Sequence, residues 1–265
     1  QIQGGDYLFY LQSTSGDYNT YVSQAFSDIM LADESNDAFG VLFTHVAHIN
    51  FSESESSEAM MAFGQAKHHQ DIFGNTDTGA VTTLIDPNSP FGQNPSTELK
   101  KTHGDIWINM DHESSDYSGI NRWEVDSNNG ANPILKGTWS YRALLEEVSH
   151  SLGIDVYNGI PESSSSYLNS QKYTVTSYEQ HEDMYYDSTT GEGPYSTGLQ
   201  LYDIYALQKI YNTNWSVRDE DGTEYKAGQG FGATNEAFVY TIWDGGGLND
   251  IIDATGFHWS SGSLE

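Results

Sequence analysis

The sequence predicts an α+β fold, because segments of strand-like composition alternate with segments whose apolar residues recur at helical spacing. The clearest strand is residues 104–110 (GDIWINM), and the clearest helix is residues 140–152. The 265-residue chain also carries 18 Tyr, 11 Phe and 6 Trp. That many large side chains can fill the core of one large domain.

The first hundred residues are predicted to open with a strand, a helix and further strands. β-Branched and aromatic residues predict strands at residues 7–12, 38–47, 48–51 and 81–85. Apolar residues at three- and four-residue spacing predict an amphipathic helix over residues 18–31. A second, short helix is predicted over residues 59–67.

The helix over residues 140–152 is the most informative element of the C-terminal half. Its apolar residues lie on one face at about 100° per residue, and Gly153 provides a helix stop. A short strand is predicted at residues 172–176, and a buried helix, apolar almost all round, at residues 199–211. Strands near residue 224 and at residues 237–243 follow, and a Gly/Asp-rich turn leads into a last apolar-acidic strand.

Composition excludes several classes of function. The chain has no cysteine, so thiolate metal sites, cysteine nucleophiles and disulfide frameworks are absent. With 38 acidic and 10 basic residues, its formal net charge is −28, which argues against partnership with nucleic acid or with an anionic membrane surface. The acidic excess and low Lys content favour a secreted or extracellular protein, cell surface included, whose carboxylates keep a monomer hydrated.

Three polar residues of the 140–152 helix form the principal candidate site. Glu146 and His150 are four residues apart and project from neighbouring turns, and Glu147 lies beside them. This is the spacing of an H-E-x-x-H metallopeptidase helix, in which two ligands hold zinc and the intervening Glu is the base. The alternative interpretation is a wet face of an amphipathic helix, covered by three polar residues.

Four motifs, in the same order along the chain, resemble the serralysin-type metzincin metallopeptidases. The strand GDIWIN and the helix around EEVSHSLG are similar to the zinc-helix region of that family. YTVTSY, at residues 173–178, resembles the family's Met-turn, and residues 201–211 resemble the helix beneath its site. WDGGG, from Trp243, resembles the start of its calcium-binding β-roll.

The resemblance implies a metzincin-like catalytic-domain fold over residues 1–213. That fold has a twisted, mostly parallel sheet with an antiparallel edge, an active-site helix and a smaller C-terminal lobe. Residues 214–265 are then a C-terminal extension that resembles the start of the β-roll. By the same resemblance, Glu147 is the general base, His150 a metal ligand and Tyr178 the Met-turn tyrosine.

The departures from the family pattern fall on the chemistry. Glu146 replaces the first histidine ligand, Val156 stands at the third ligand position, and Thr176 replaces the methionine of the Met-turn. Catalytic zinc normally has three protein ligands and an open position for water. We therefore expect a pseudopeptidase, without zinc or another divalent metal in the cleft, that binds or processes an extracellular polymer, either polypeptide or polysaccharide.

Two other functions stay open at this point. In a metalloendopeptidase with a rearranged ligand set, Glu146 and His150 would be joined by Asp155 or His181. Such oxygen-rich donors favour Mn²⁺, Fe²⁺ or Ca²⁺ over zinc. In a glycan-acting hydrolase, cleft carboxylates would work as a pair. Glu146 and Glu147 diverge by about 100°, so a partner would have to come from the acidic loop after Tyr178, which contains Glu179, Glu182 and Asp183.

A structural calcium is expected at the C-terminal Gly/Asp turn. Carboxylates and backbone carbonyls are the hard oxygen donors that Ca²⁺ prefers. The resemblance adds a second turn, which contains Arg, Gly and Thr just after the buried helix, and residues 218–223 (RDEDGT) occupy that place. The predicted calcium residues are Asp244, Gly246, Asp250, Asp253, Arg218 and Thr223.

Overall fold

The computed structural model describes twelve stretches of the chain. They are residues 5–11, 20–33, 37, 40–55, 59–66, 79–83, 103–110, 123, 134–154, 168–179, 194–226 and 239–255. The strands are β1 Gly5–Leu11, β2 Ile49–Glu53, β3 Met61–Ala66, β4 Ala80–Thr82, β5 Ile106–Asn109, β6 Glu224–Lys226 and β7 Ile251–Asp253. The helices are α1 Thr20–Met30, α2 Phe43–Val46, α3 Trp139–Ser151 and α4 Leu201–Tyr211.

The main sheet has five strands in the order β2-β1-β3-β5-β4. β1 pairs in parallel with β2 and β3, and β3 pairs in parallel with β5. Of the strands that the structure describes, β4, at the end of the sheet, runs antiparallel to its neighbour β5. The prediction of an α+β fold with a mostly parallel sheet and an antiparallel edge is confirmed for the described strands.

The core lies between this sheet and helices α1 and α3. Phe26 of α1 stacks on Phe63 of β3, with ring centroids 4.1 Å apart. Both rings are fully buried, as are Leu144 and Leu145 of α3. Burying side chains of this size contributes roughly 1.5–3 kcal/mol each, so the sheet fixes the position of α3.

Several predicted elements differ in type from the observed ones. Residues 61–66, predicted as helix, form β3, because pairing with both β1 and β5 overrides the helix-favouring Met, Ala and Gln. α2 interrupts the strand predicted over residues 38–47. Residues 172–176 form a turn, and residues 239–243 contribute only an isolated bridge from Val239 to Ser196.

The last two strands, β6 and β7, form a separate small sheet. They pair in parallel, with Glu224 opposite Ile251 and Lys226 opposite Asp253. The division into a 1–213 domain and a 214–265 extension stays a prediction. Within the parts of the chain given above, none of the helices has the length and apolar character needed to span a bilayer.

Candidate functional site

Helix α3 carries the candidate site and is buried over most of its circumference. Thr138 caps its N-terminus, where the Thr138 side-chain oxygen accepts a hydrogen bond from the Tyr141 amide at 3.3 Å. Residues 140–149 are all buried. Glu146 is only 4% exposed and Glu147 only 7%. The interpretation of these glutamates as a wet helix face is therefore wrong, and their carboxylates require partners inside the protein.

The partner of Glu146 is Arg142, one helical turn earlier. The Arg142 Nη1 atom lies 3.1 Å from Glu146 Oε2, and both side chains are about 5% exposed or less. The same Nη1 donates a hydrogen bond of 2.6 Å to the carbonyl oxygen of Val175. It also lies 3.5 Å from the carbonyl oxygen of Ser177. Arg142 thus joins α3 to the segment that resembles the Met-turn.

His150 lies on the other side of Glu146. Its Nδ1 is 2.9 Å from the carbonyl oxygen of Ile154, and because a carbonyl oxygen only accepts, Nδ1 is the donor. Its Nε2 is 3.8 Å from Glu146 Oε1, an oxygen that is buried without a hydrogen bond. Burial acts to lower the pKa of His150, but Glu146 and Glu147 outweigh burial and raise it to about 9. Without a metal, His150 is an imidazolium at neutral pH.

Glu147 points toward the edge strand β4. Its Oε2 accepts a hydrogen bond of 2.6 Å from the Thr82 hydroxyl, which is also 2.9 Å from the Glu147 carbonyl oxygen. Burial, reinforced by the charge of Glu146, raises the pKa of Glu147 to about 7, and the Thr82 hydrogen bond acts in the opposite direction. A carboxyl group that titrates near neutrality can act as a general acid or base.

The turn that contains residues 174–178 is held from below by Asp203 of α4. Asp203 is fully buried, and its carboxylate accepts hydrogen bonds from the Thr174 hydroxyl at 2.6 Å and from the Val175 and Gln200 amides at 2.9 Å. Burial raises the pKa of Asp203 to about 6. Tyr178, at the end of the turn, is 66% exposed, so the turn presents an aromatic ring to solvent.

The described donors do not fit a catalytic zinc ion. Zinc needs three protein ligands and an open position, yet in the part of the chain that the structure describes no three His, Asp or Glu side chains are grouped to hold a metal. Glu146 and His150 supply two donors, and one oxygen of Glu146 is bound by the cation of Arg142. Asp155, Val156 and His181, at predicted or family ligand positions, lie outside the described residues, as do Glu182 and Asp183.

Three residues of the site were missed by the sequence analysis: Arg142, Thr82 and Asp203. Arg142 had a usable signal, because an Arg four residues before a Glu on one helix predicts an ion pair. Asp203 also had one, since an acidic residue at the third position of a helix can bond back to the residue that precedes the helix. Thr82 had none, because its contact with Glu147 joins segments that are remote in sequence.

The two turns predicted to bind calcium lie side by side. The Thr223 amide donates to Asp250 Oδ1 at 3.0 Å, and the Gly222 amide donates to the Leu248 carbonyl oxygen at 3.0 Å. Arg218 has a φ of 54°, and its Nη2 donates to the Gly40 carbonyl oxygen at 2.8 Å. The two turns are therefore hydrogen-bonded to each other, and Arg218 joins the first one to Gly40 of the N-terminal half.

The predicted calcium carboxylates are largely bound within the protein. Asp244 accepts hydrogen bonds from the Tyr225 hydroxyl and the Gly246 amide. Asp253 faces Thr255, whose amide and hydroxyl donate to it at 2.9 and 2.6 Å. The turns are adjacent, but among the described residues no three carboxylates are grouped to hold a metal ion, so calcium binding stays a prediction.

The chain is similar to several curated metallopeptidases. It is 28% identical over 232 residues to a serralysin of Photorhabdus sp. (strain Az29), and the matched region covers 81% of this chain and 41% of that protein. It is 32% identical over 236 residues to the metalloprotease AprA of Pseudomonas entomophila (strain L48), covering 80% and 41%. For the metallopeptidase AprA of Pseudomonas marginalis, identity is 26% over 271 residues, covering 95% and 50%.

These similarities extend over most of this chain but only part of each relative. The chain spans about two fifths to one half of the length of the curated relatives it matches. No model of a protein family matches it.

Proposed function

Because this chain is a relative of the serralysin-type metallopeptidases over about four fifths of its length, we propose that it is a secreted serralysin-related domain that binds an extracellular polymer and is not a standard zinc peptidase. The observation that carries the proposal is the buried pair between Arg142 and Glu146. At the first ligand position, where the family has a neutral imidazole, this chain has the Glu146 carboxylate, which is already paired with the Arg142 cation. A second cation at the same oxygen would be repelled by the guanidinium.

An extended polypeptide is the polymer that the geometry supports best. β4 is the antiparallel end strand of the main sheet, and such a strand can pair with an extended chain through backbone hydrogen bonds. The site residue Glu147 is bonded to this same strand through Thr82. A net charge of −28 further favours a basic or neutral polypeptide over an acidic one.

The second candidate is a metallopeptidase with a rearranged ligand set. It is favoured by one observation: Glu146 Oε1 is buried without a hydrogen bond and lies 3.8 Å from His150 Nε2. That separation suits two atoms bound to one divalent ion. A glycan-acting hydrolase has less support, because Glu146 and Glu147 are held apart by Arg142 and Thr82 respectively.

Metal analysis combined with a peptidase assay separates the two leading candidates. We expect substoichiometric metal after purification in zinc-supplemented buffer, and no casein cleavage at any pH from about 7 to about 9, the range spanned by the pKa values of Glu147 and His150. Stoichiometric metal, with casein cleavage lost in Glu147→Gln but kept in the exposed control Glu179→Gln, would establish the metallopeptidase and refute the proposal.

Binding is tested with synthetic extended peptides of basic, neutral and acidic composition beside a panel of soluble polysaccharides. We expect basic and neutral peptides to bind, and Tyr178→Ala to weaken binding about tenfold, which corresponds to about 1.4 kcal/mol. Tyr205→Ala is the matched control, because Tyr205 is 60% exposed on α4 and Tyr178 is 66% exposed on the turn. If polysaccharides bind and none of the peptides does, the ligand is a glycan and not a polypeptide.

A further inference from the structure

Val175, at the centre of the 174–178 turn, has both of its backbone polar groups bound by buried charges of opposite sign. Its amide donates to Asp203 Oδ2 at 2.9 Å, and its carbonyl oxygen accepts from Arg142 Nη1 at 2.6 Å. Asp203 belongs to α4 and Arg142 to α3, so one peptide segment is clamped between two helices. Charge-assisted hydrogen bonds of this kind are about twice as strong as neutral ones.

Arg142 is also the element that joins the turn to the candidate site. Its Nη1 donates hydrogen bonds to the carbonyl oxygens of Val175 at 2.6 Å and Ser177 at 3.5 Å, and it forms an ion pair with Glu146 Oε2 at 3.1 Å. Arg142 is only 3% exposed, and its charge acts through a medium where screening by water is weak. A single cation therefore holds a carboxylate of the helix and a carbonyl of the turn at the same time.

A metal ion that bridges two segments does the same physical work: it neutralises buried oxygen ligands and fixes their separation. We propose that the Arg142 guanidinium has replaced a metal ion as the cation that organises the floor of this site, with Arg142 as the positioning residue for the 174–178 turn and its exposed Tyr178. The inference rests on the proposed function, because it assumes that the site is assembled without a catalytic metal.

The geometry also explains why Glu146 is accompanied by Arg142 on the same helix. A lone glutamate in this buried place would be an unpaired charge, and breaking such a pair by removing one partner leaves the other charge uncompensated, which is strongly destabilising. Glu146 and Arg142 therefore form a matched pair on successive turns of α3. Restoring histidine at position 146 alone would leave the Arg142 cation buried beside it, and we expect the Glu146→His variant to gain no zinc binding.

The test measures amide hydrogen exchange by mass spectrometry in a peptide that covers residues 172–179, with the β3 peptide as an internal reference. In the wild-type protein we expect no change in either peptide when EDTA is added. In Arg142→Met we expect exchange in the 172–179 peptide to become about tenfold faster or more, with the β3 peptide unchanged. Arg142→Lys keeps the charge and one donor group, so it should retain part of the protection.

The double variant Arg142→Met/Glu146→Leu separates positioning from simple charge balance. It removes both buried charges, so it should regain most of the denaturant resistance lost in Arg142→Met, while the 172–179 peptide stays rapidly exchanging. It also keeps the experiment informative if the single variant does not fold. Recovery of both properties would overturn the proposal, because Arg142 would then be only a counterion of Glu146.

Loosening of the 172–179 peptide by EDTA in the wild-type protein, if added calcium does not reverse it, would likewise overturn the proposal, because a metal in the site would then be the organising cation. Failure of the proposed function has a different signature. If the protein proves to be a metallopeptidase, EDTA would abolish casein cleavage whether or not the exchange of this peptide changed.

Discussion

Replacing Asp203 with asparagine should change how the stability of the protein depends on pH. Asp203 is fully buried, and burial raises its pKa from 3.8 to about 6. The asparagine side chain would keep the shape and one oxygen for the amides of Val175 and Gln200, but it does not titrate. The variant therefore removes one proton-binding group from beneath the candidate site with little change in packing.

The size of the effect follows from the shift in pKa. Because the folded-state pKa lies above the unfolded-state value, the contribution of Asp203 to stability is fully present below pH 3.8 and is lost as pH rises through about 6. At about 1.4 kcal/mol per unit, the shift corresponds to about 3 kcal/mol. Because pH 4 already lies slightly above the unfolded-state pKa, the free energy of unfolding of Asp203→Asn minus that of wild type should increase by about 2.4 kcal/mol from about pH 4 to about pH 7.5.

Urea unfolding followed by tryptophan fluorescence, at half-unit steps between those pH values, measures this difference. Asp28→Asn, on the exposed face of α1, is the matched control for replacing an aspartate with asparagine. If the difference in the free energy of unfolding between Asp203→Asn and wild type is constant across the range, the Asp203 carboxyl has the same pKa in the folded and unfolded states. The account of its buried hydrogen bonds to the turn would then be wrong.

Three further predictions concern other parts of the fold. Burial lowers the pKa of His45 from 6.5 to about 4, so its contribution to stability is present above pH 6.5 and is lost as pH falls toward 4. In urea titrations the free energy of unfolding of His45→Gln should therefore fall by about 3 kcal/mol less than that of wild type over this pH range. Gly245→Ala should lower the melting temperature far more than Gly153→Ala, because a Cβ at Gly245 would lie 2.5 Å from two backbone carbonyl oxygens. At Gly153, where φ is +88°, a Cβ meets nothing within 4 Å, so Gly153→Ala should cost about 1 kcal/mol. Equal losses in the two variants would contradict the packing of the C-terminal turn. Calcium should raise the melting temperature of the wild-type protein by several degrees and that of Asp250→Asn by less, since bound ligand stabilises the folded state; no shift in the wild-type protein would rule out the predicted structural calcium.

The sequence is most informative where a pattern is local and least informative where a contact is long-range. Helix α3 is predicted nearly to its ends, because apolar spacing and a following glycine are properties of one segment. The β3 segment is predicted as a helix, because its Met, Ala and Gln residues favour one and its pairing with two remote strands is invisible in the segment itself. In this segment, pairing within the sheet overrides the local helix propensity.

The candidate site shows the same division. Spacing alone brings Glu146, Glu147 and His150 to one helix, and the structure keeps them together. Their burial does not follow from the spacing, because polar residues on a helix usually face water. What makes burial tolerable at Glu146 and Glu147 is an Arg on the same helix and a Thr on a strand 65 residues earlier.

The pairing of the main sheet has a consequence for how the protein folds. Gly5 pairs with Ile49, and Phe63 pairs with Ile106, so no parallel pair can begin as a tight hairpin. The entropy of closing each long loop is lost before the hydrogen bonds form, and such topologies refold slowly, on the order of milliseconds to seconds. During that time β1 has neither of its neighbours in place and could pair with another chain, and mutual repulsion between chains of charge −28 opposes that aggregation.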